Sequence, residues 1–165
     1  MAPVGSASGQ PQIVDGRYEL QGQMVYDKRS NLSWTRCSVG QTWTPQGRCA
    51  GKPVGFGFAS AARTFVGVWR VPTKAEIDTL FSQAASGPKI NATVFPDMVP
   101  GELLYWTLDQ ISDSNAWYAD FGAGKTYDTL GDYAYLHQKM FVRLVHVGQM
   151  DTRPVVSITR FKAAK

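Results

Sequence analysis

The stretch "VWRVPTKAEIDTLF", residues 68–81, combines a strand-like start with a helix start signal. Thr73 stands three residues before Glu76, which is the spacing of a capping box: each side chain satisfies the backbone N–H of the other residue. Apolar residues follow at helical spacing until Gly87. The pattern predicts a helix over about 74–85 and gives Thr73 and Glu76 structural roles.

Length and composition predict one α+β domain. The chain has 165 residues, with 16 Gly, 5 Trp, 7 Tyr and 8 Phe and only 18% charged residues, which favours a loop-rich, strand-containing fold over a helical bundle. Residues 1–16 are rich in small residues without periodicity, so we interpret them as a flexible lead-in. Residues 150–165, which contain "RPVVSITRF", are interpreted as a C-terminal tail or an edge strand.

Alternating apolar residues predict strands on both sides of the helix. "RYELQGQMVYD" is interpreted as one strand, joined through "DKRSN" to "LSWTR" in a β-hairpin. A short helix is predicted over about 58–66. Further along the chain, "LLYWTLD", "AWYADF" and "KMFVRLVHV" predict three strands rich in aromatic and β-branched residues.

The two cysteines predict a disulfide. Cys37 and Cys49 are separated by a segment with two glycines and a proline that lets the chain fold back, and the bond would stabilise the fold by about 3 kcal/mol. Two cysteines alone make a poor zinc site, because structural zinc sites use four ligands. A catalytic thiol is the alternative hypothesis for these cysteines. A disulfide indicates a secreted, periplasmic or cell-surface protein. The sequence shows no signal peptide, as expected if one was removed, and no membrane span.

Charge and histidine spacing give little support for catalysis. The formal charge of +4 is spread along the chain, which is compatible with polyanionic partners but gives no nucleic-acid motif. His137 has no triad spacing around it, and alternation places His146 at a strand edge or surface. The aspartates of the second half lack a calcium-loop motif, so we predict no cofactor and leave calcium open.

The loop "GAGKTYDTLGDYAYLHQK", residues 122–139, carries the candidate ligand-binding residues. Its tyrosines could stack on sugar rings or bury area against a protein, while its lysines and histidine could bind anionic groups; alternatively, the tyrosines close the loop over the core. The candidates are Lys125, Tyr127, Asp128, Asp132, Tyr133, Tyr135, His137 and Lys139.

"LSWTRCSVGQTW", "WRVPTKAEIDTL" and "FVRLV" resemble the Lcl-type C-terminal domain of bacterial surface proteins, over residues 17–149. A more distant similarity is to the formylglycine-generating-enzyme fold. The resemblance implies a C-type-lectin-like fold with two helices packed on small twisted antiparallel sheets with long loops. It also favours a structural role for Arg70, paired with an aspartate, over ligand binding.

The resemblance implies a non-catalytic, adhesin-like binding module, since the adhesin that names the family is associated with sulfated glycosaminoglycans. The partner would be a glycan or a surface protein. An alternative is a structural component that docks onto a pilus, fibre or envelope complex, in an oligomer or larger surface assembly. An enzyme of the formylglycine-generating type is a remote third hypothesis, because that chemistry uses a cysteine pair late in the chain and both cysteines here are early.

Overall fold

Three antiparallel sheets and three short helices make up the computed structural model, which describes residues 10–101 and 103–150. The largest sheet has seven strands in the order β1-β2-β3-β4-β12-β8-β7. Its strands are β1 Gln12–Val14, β2 Tyr18–Gln21, β3 Met24–Asp27, β4 Leu32–Thr35, β7 Phe65–Val66, β8 Trp69–Arg70 and β12 Val145–Val147.

The second sheet has three strands in the order β11-β10-β9, and a two-stranded ribbon pairs β5 with β6. The remaining elements are β5 Thr42–Trp43, β6 Cys49–Ala50, α1 Phe58–Ala62, α2 Lys74–Asp78, β9 Leu104–Ser112, β10 Asn115–Asp120, β11 Lys125–Asp128 and α3 Tyr133–Leu136. The architecture is α+β, as predicted, with small antiparallel sheets. In the described part of the chain, none of the helices has the length and apolarity needed to cross a bilayer.

Two clusters of buried side chains hold the sheets and helices together. The first cluster joins β3 and β4 to α2 and the second sheet, and it contains Val25, Trp34, Ile77, Phe95, Tyr105 and Phe121 among others. The second cluster joins α1, β8 and α3 to the opposite side of the second sheet, with Phe58, Trp69, Trp106, Leu136 and Met140 among its members. The largest fully buried side chains are Trp34, Trp69 and Trp106, in keeping with the aromatic-rich composition.

The α2 start is the capping box that the sequence predicted. The Thr73 hydroxyl accepts from the Glu76 N–H at 3.2 Å, and the Glu76 carboxylate accepts from the Thr73 N–H at 2.8 Å. Arg70 has a structural role, but its partner is Glu76 rather than an aspartate: two guanidinium nitrogens donate to the two carboxylate oxygens at 2.7 and 2.8 Å. Burial alone would raise the pKa of Glu76, and the bonds from Arg70 and Thr73 outweigh it and lower that pKa.

The two predicted helices are shorter than expected. The helix over 74–85 ends at Asp78 because the Thr79 hydroxyl donates to the Glu76 carbonyl at 2.6 Å and Arg17 donates to the Thr79 carbonyl at 2.7 Å. These bonds use carbonyls that a longer helix would need for its next turn. The helix over 58–66 ends at Ala62 because Phe65 begins β7.

The N-terminal hairpins also differ from the prediction. "RYELQGQMVYD" is two strands, β2 and β3, because Gly22 has a φ of 64° and reverses the chain between Gln21 and Met24. The sheet begins earlier than expected: β1 lies inside the segment 1–16 interpreted as a lead-in and pairs with β2. The tail or edge strand predicted at 150–165 lies outside the described residues, apart from Met150.

A buried ion pair anchors the segment before β12 to the cysteine loop. Arg143, which has no exposed surface, donates to both oxygens of Asp97 at 2.7 and 2.9 Å and to the carbonyls of Thr35 and Arg36. The Ser38 N–H donates to the same carboxylate at 2.8 Å. Because charges are buried only when they are paired and hydrogen-bonded, the arginine in "FVRLV" has a structural role.

Candidate functional site

The segment 122–139, interpreted as a loop, contains both β11 and α3. The tight turn between them has Leu130 and Gly131 at φ values of 55° and 72°, and the Asp132 N–H donates to the Thr129 carbonyl at 3.0 Å. Asp132 then starts α3, because its side chain accepts from the Ala134 N–H at 2.9 Å. Asp132 therefore has a capping role, and a four-residue helix presents the tyrosines.

Leu130 is the least expected residue of this turn. A left-handed φ costs an ordinary side chain roughly 1–2 kcal/mol, and such turns favour Asn, Asp or Gly. The equivalent turn between β1 and β2 uses Asp15 and Gly16. Leu130 is nevertheless 85% exposed, so no core contact compensates for its strained backbone.

A groove separates α1 from α3, and we call it the α1–α3 groove. The backbone segments that precede α1 and follow α3 pack closely: the Phe56 N–H donates to the Met140 carbonyl at 2.8 Å, and the reverse bond is 3.0 Å. A Cβ at Gly55 would lie 2.9 Å from the Cβ of Lys139, and one at Gly57 would lie 3.3 Å from the Leu136 carbonyl. These two glycines let α3 and the following residues approach α1 closely.

Basic and aromatic side chains line the α1–α3 groove, whose volume is about 470 Å³. Arg63 at the end of α1 and Lys139 after α3 are both exposed cations. Tyr133 is 63% exposed, and its ring makes an edge contact with the His137 ring at a centroid distance of 4.8 Å. Asp113 is the one carboxylate among the lining residues. The groove can accept hydrogen bonds from hydroxyl groups and bind anionic groups.

A second, smaller groove of about 250 Å³ runs along β11, and we call it the β11 groove. The rings of Tyr118 and Tyr127 stack in it, with centroids 6.0 Å apart. Lys125 covers Tyr127, with its ammonium nitrogen 4.9 Å from the ring centroid. Burial, followed by the nearby Tyr135 and carboxylates, raises the pKa of Tyr118, which keeps its hydroxyl protonated. The lining residues are Trp117, Tyr118, Thr126, Tyr127, Asp128, Thr129, Leu130 and Tyr135.

The eight candidate ligand-binding residues therefore do not form one site. Tyr133, His137 and Lys139 line the α1–α3 groove, whereas Tyr127, Asp128 and Tyr135 line the β11 groove. Lys125 contacts Tyr127, and Asp132 caps α3. Sequence reasoning missed several lining residues that are distant in sequence: Arg63, Gln110, Asp113, Trp117 and Tyr118. It also missed Leu130, for which the Leu-Gly pair at a turn was an available signal.

The aspartates of the second half serve mainly as backbone caps. Asp120 accepts from the N–H groups of Gly122 and Ala123, and Asp128 accepts from that of Leu130 at 2.7 Å. Asp109 accepts from the Lys74 N–H at the start of α2. Among residues 10–101 and 103–150, no group of three or more His, Cys, Asp or Glu side chains could hold a metal ion.

The two cysteines are joined in a disulfide, and His146 lies in a strand with neighbours on both sides. Cys37 and Cys49 form a disulfide, as predicted, with their Cα atoms 5.5 Å apart. The expectation that His146 lies at an edge or surface was wrong, because β12 pairs with β4 on one side and β8 on the other. His146 is half-buried, and its ring lies 6.0 Å from that of Trp69.

Comparison with known proteins identifies the family. No curated protein and no solved structure matches the chain. The match to the Lcl C-terminal domain covers residues 23–146, from the turn between β2 and β3 to β12. It includes the disulfide loop, the capping box and both grooves. That family and the intramolecular disulfide indicate an extracytoplasmic protein. The chain thus belongs to the Lcl C-terminal domain family.

Proposed function

We propose that the chain is a non-catalytic, adhesin-like binding module of a secreted or cell-surface protein. Its ligand is an anionic glycan, of which a sulfated glycosaminoglycan is the best candidate, and its binding site is the α1–α3 groove. One observation carries this proposal: two exposed cations, Arg63 and Lys139, line the same groove as the exposed ring of Tyr133.

The chemistry of the groove suits a sulfated or carboxylated sugar. The Tyr133 ring offers a flat surface with few rotatable bonds, and a sugar ring can stack on it at little cost in entropy. Arg63 and Lys139 can bind sulfate or carboxylate groups through charge-assisted hydrogen bonds, and Asp113 can accept from a sugar hydroxyl. The volume of about 470 Å³ lies within the usual range for small-molecule sites.

The surroundings of the reactive side chains support a binding role over an enzymatic one. Both cysteines are joined in the disulfide and cannot serve as nucleophiles. His137 contacts the Tyr133 ring rather than a carboxylate, and His146 is held inside the seven-stranded sheet. Neither histidine has the base-and-orienting-group geometry that nucleophilic catalysis needs.

We also infer that the fold is of the C-type-lectin-like type. The support is the small antiparallel sheets, the helices packed on them and the long connection from Thr79 to Leu103, which contains no strand or helix among its described residues. Failure of the two larger sheets and the helices to superpose on C-type-lectin-like domains would contradict this inference.

Binding of the purified protein to sulfated and unsulfated glycosaminoglycans, at low and physiological salt, tests the proposal. Lys139→Ala and Arg63→Ala should each weaken binding about tenfold at low salt, the effect of losing one charged hydrogen bond. Lys125→Ala is the matched control, because it removes the same charge from an exposed lysine outside the groove. Wild-type affinity should fall with rising salt.

Two results would overturn the assignment. If Lys125→Ala weakens binding as much as Lys139→Ala, the glycan responds to net charge and not to the groove. If no anionic glycan binds at low salt, the module does not recognise this class of ligand. Tyr133→Ala leaves the net charge of the protein unchanged. It should therefore weaken binding that uses the groove and leave binding that depends only on net charge unaffected.

The second candidate function is a structural component of a surface assembly such as a pilus, fibre or envelope complex. The observation in its favour is the β7–β8 hairpin, which exposes 64% of Phe65 in β7 and 58% of Val68 in its turn. Exposed apolar pairs of this kind suit protein docking. Self-association that is insensitive to salt and is lost in Phe65→Ser would support it; a monomer at all concentrations would argue against a homomeric assembly.

A further inference from the structure

His137 ends α3 and lines the α1–α3 groove. Its side chain is exposed, and its ring packs against the ring of Tyr133 in an edge-to-face arrangement, with the centroids 4.8 Å apart. The two residues are four positions apart, so they share one face of the short helix. The imidazole therefore belongs to the surface that a ligand of this groove meets.

The backbone that carries the His137 ring is held against α1. The His137 N–H donates to the Ala134 carbonyl at 3.1 Å, which closes the last turn of α3. A Cβ added at Gly57 would lie 3.7 Å from the His137 Cα, so the segment that precedes α1 packs directly on this position. The imidazole is thus placed beside the groove before any ligand binds.

The charged groups that share the groove with His137 come from three parts of the chain. Arg63 ends α1, Lys139 follows α3, and Asp113 lies in the turn between β9 and β10. Across the residues that the structure describes, no carboxylate forms an ion pair with the imidazole. With His137 neutral, the groove therefore contains two cations and one carboxylate.

The remaining titratable groups near α3 lie on its other side or at its start. Tyr118, Asp128 and Tyr135 line the β11 groove and not the α1–α3 groove. Asp132 is at the start of α3, where its carboxylate accepts from the Ala134 N–H at 2.9 Å. The charge of the α1–α3 groove is therefore set by Arg63, Lys139 and Asp113, together with the protonation state of His137.

Protonation of His137 would change what the groove offers to an anion. Histidine is the side chain that ordinarily changes its charge between pH 5 and 8. A neutral imidazole has one N–H donor and one acceptor nitrogen, whereas a protonated imidazole has two donors and a positive charge. The groove would then contain three cations against one carboxylate, with the new cation beside the Tyr133 ring.

We propose that His137 makes anionic-glycan binding at the α1–α3 groove depend on pH, and that protonation of its ring strengthens that binding. This inference rests on the proposed function, because it concerns the regulation of the same groove. The third cation donates a charge-assisted hydrogen bond to a sulfate or carboxylate group. The module then holds its ligand more tightly in acidified surroundings and releases it as the pH returns to neutral.

Binding of heparin to the full chain at pH 5.5 and pH 7.5, at one low salt concentration, tests this inference. A histidine in water is about nine-tenths protonated at pH 5.5 and about one-tenth at pH 7.5, whereas sulfate stays ionised at both. If the added bond is worth about tenfold in affinity, the wild type should bind about fivefold more tightly at pH 5.5. Both pH values lie above the range in which acid should destabilise the fold.

Three variants assign the effect to one side chain. His137→Gln should bind at both pH values as the wild type does at pH 7.5, because glutamine is polar but gains no charge. His137→Lys should bind at both as the wild type does at pH 5.5, because lysine is charged throughout. His146→Gln is the matched control, since the chain has two histidines and His146 lies between β4 and β8, outside the groove. It should keep the wild-type difference.

The outcomes separate this inference from the proposed function. A pH difference that disappears in His137→Gln and persists in His146→Gln supports it. Equal wild-type affinity at the two pH values overturns the inference and leaves the glycan site in place. A difference that persists in His137→Gln also overturns it, because other groups then cause the effect. Absence of heparin binding at both pH values overturns the proposed function and this inference with it.

Discussion

Replacing Asp97 with alanine should be among the most destabilising substitutions in the described fold. The carboxylate accepts two bonds from Arg143 and two from Ser38, one from its N–H and one from its hydroxyl. Both side chains of the ion pair are fully buried. Removal of the carboxylate leaves a buried guanidinium and a buried N–H without these partners.

Removing one partner of a buried ion pair costs about 3–5 kcal/mol, and at about 2–4 °C per kcal/mol this lowers Tm by roughly 6–20 °C. Lys74→Ala is the control, because the Lys74–Asp78 pair is half-exposed and its loss should cost less than about 1 kcal/mol. Urea unfolding followed by tryptophan fluorescence measures both values. A loss below about 1.5 kcal/mol for Asp97→Ala would refute the reasoning.

A double variant separates the ion pair from the other bonds of Arg143. Asp97→Leu with Arg143→Met should recover much of the lost stability, because apolar side chains of similar size often replace a buried ion pair at little net cost. If the double variant is as unstable as Asp97→Ala, the bonds from Arg143 to the carbonyls of Thr35 and Arg36 carry the stability instead. In that case, the ion pair between Arg143 and Asp97 would contribute little to the free energy of unfolding.

Three further predictions concern the turn, the disulfide and pH. Leu130→Asn should raise the free energy of unfolding by about 1 kcal/mol, because Asn tolerates the left-handed φ; a loss in urea unfolding would contradict this. Cys37→Ser with Cys49→Ser should lower Tm through a loss of about 3 kcal/mol but leave glycan affinity unchanged; lost affinity at a temperature where the variant is folded would contradict a structural role. Burial would raise the pKa values of Asp27 and Glu76, but hydrogen bonds and charge from Arg17 and Arg70 outweigh it and lower them. The free energy of unfolding should therefore be highest near neutral pH and fall below about pH 4, where these carboxylates become protonated. An unchanged urea midpoint at pH 3 would contradict this.

Features fixed by nearby residues could be predicted from the sequence. Thr73 and Glu76 are three residues apart, so the spacing alone contained the capping box. The disulfide joins cysteines that are 12 positions apart in sequence, and the segment between them contains its own turn residues. The strands β9 and β10 likewise followed from runs of aromatic and β-branched residues.

Features fixed by distant residues could not be predicted in this way. Arg143 and Asp97 are 46 residues apart, and nothing in "FVRLV" indicates that its arginine is buried. The sequence placed His146 at an edge or surface because alternation describes a single strand. Which strands lie beside it is given only by the sheet order, which places β12 between β4 and β8. The early end of α2 has the same origin, since Arg17 binds the Thr79 carbonyl from 62 residues away.

The candidate site shows why a loop-like sequence can still present ordered side chains. A helix of four residues such as α3 is too short to be stable alone. Its position is set by the cap at Asp132, by Leu136 in the second core cluster and by the close approach at Gly57. Because α3 separates the two grooves, the same anchors fix Tyr133 on one side and Tyr135 on the other. The tyrosine spacing that suggested one binding loop is therefore the spacing of a short helix with a different groove on each side.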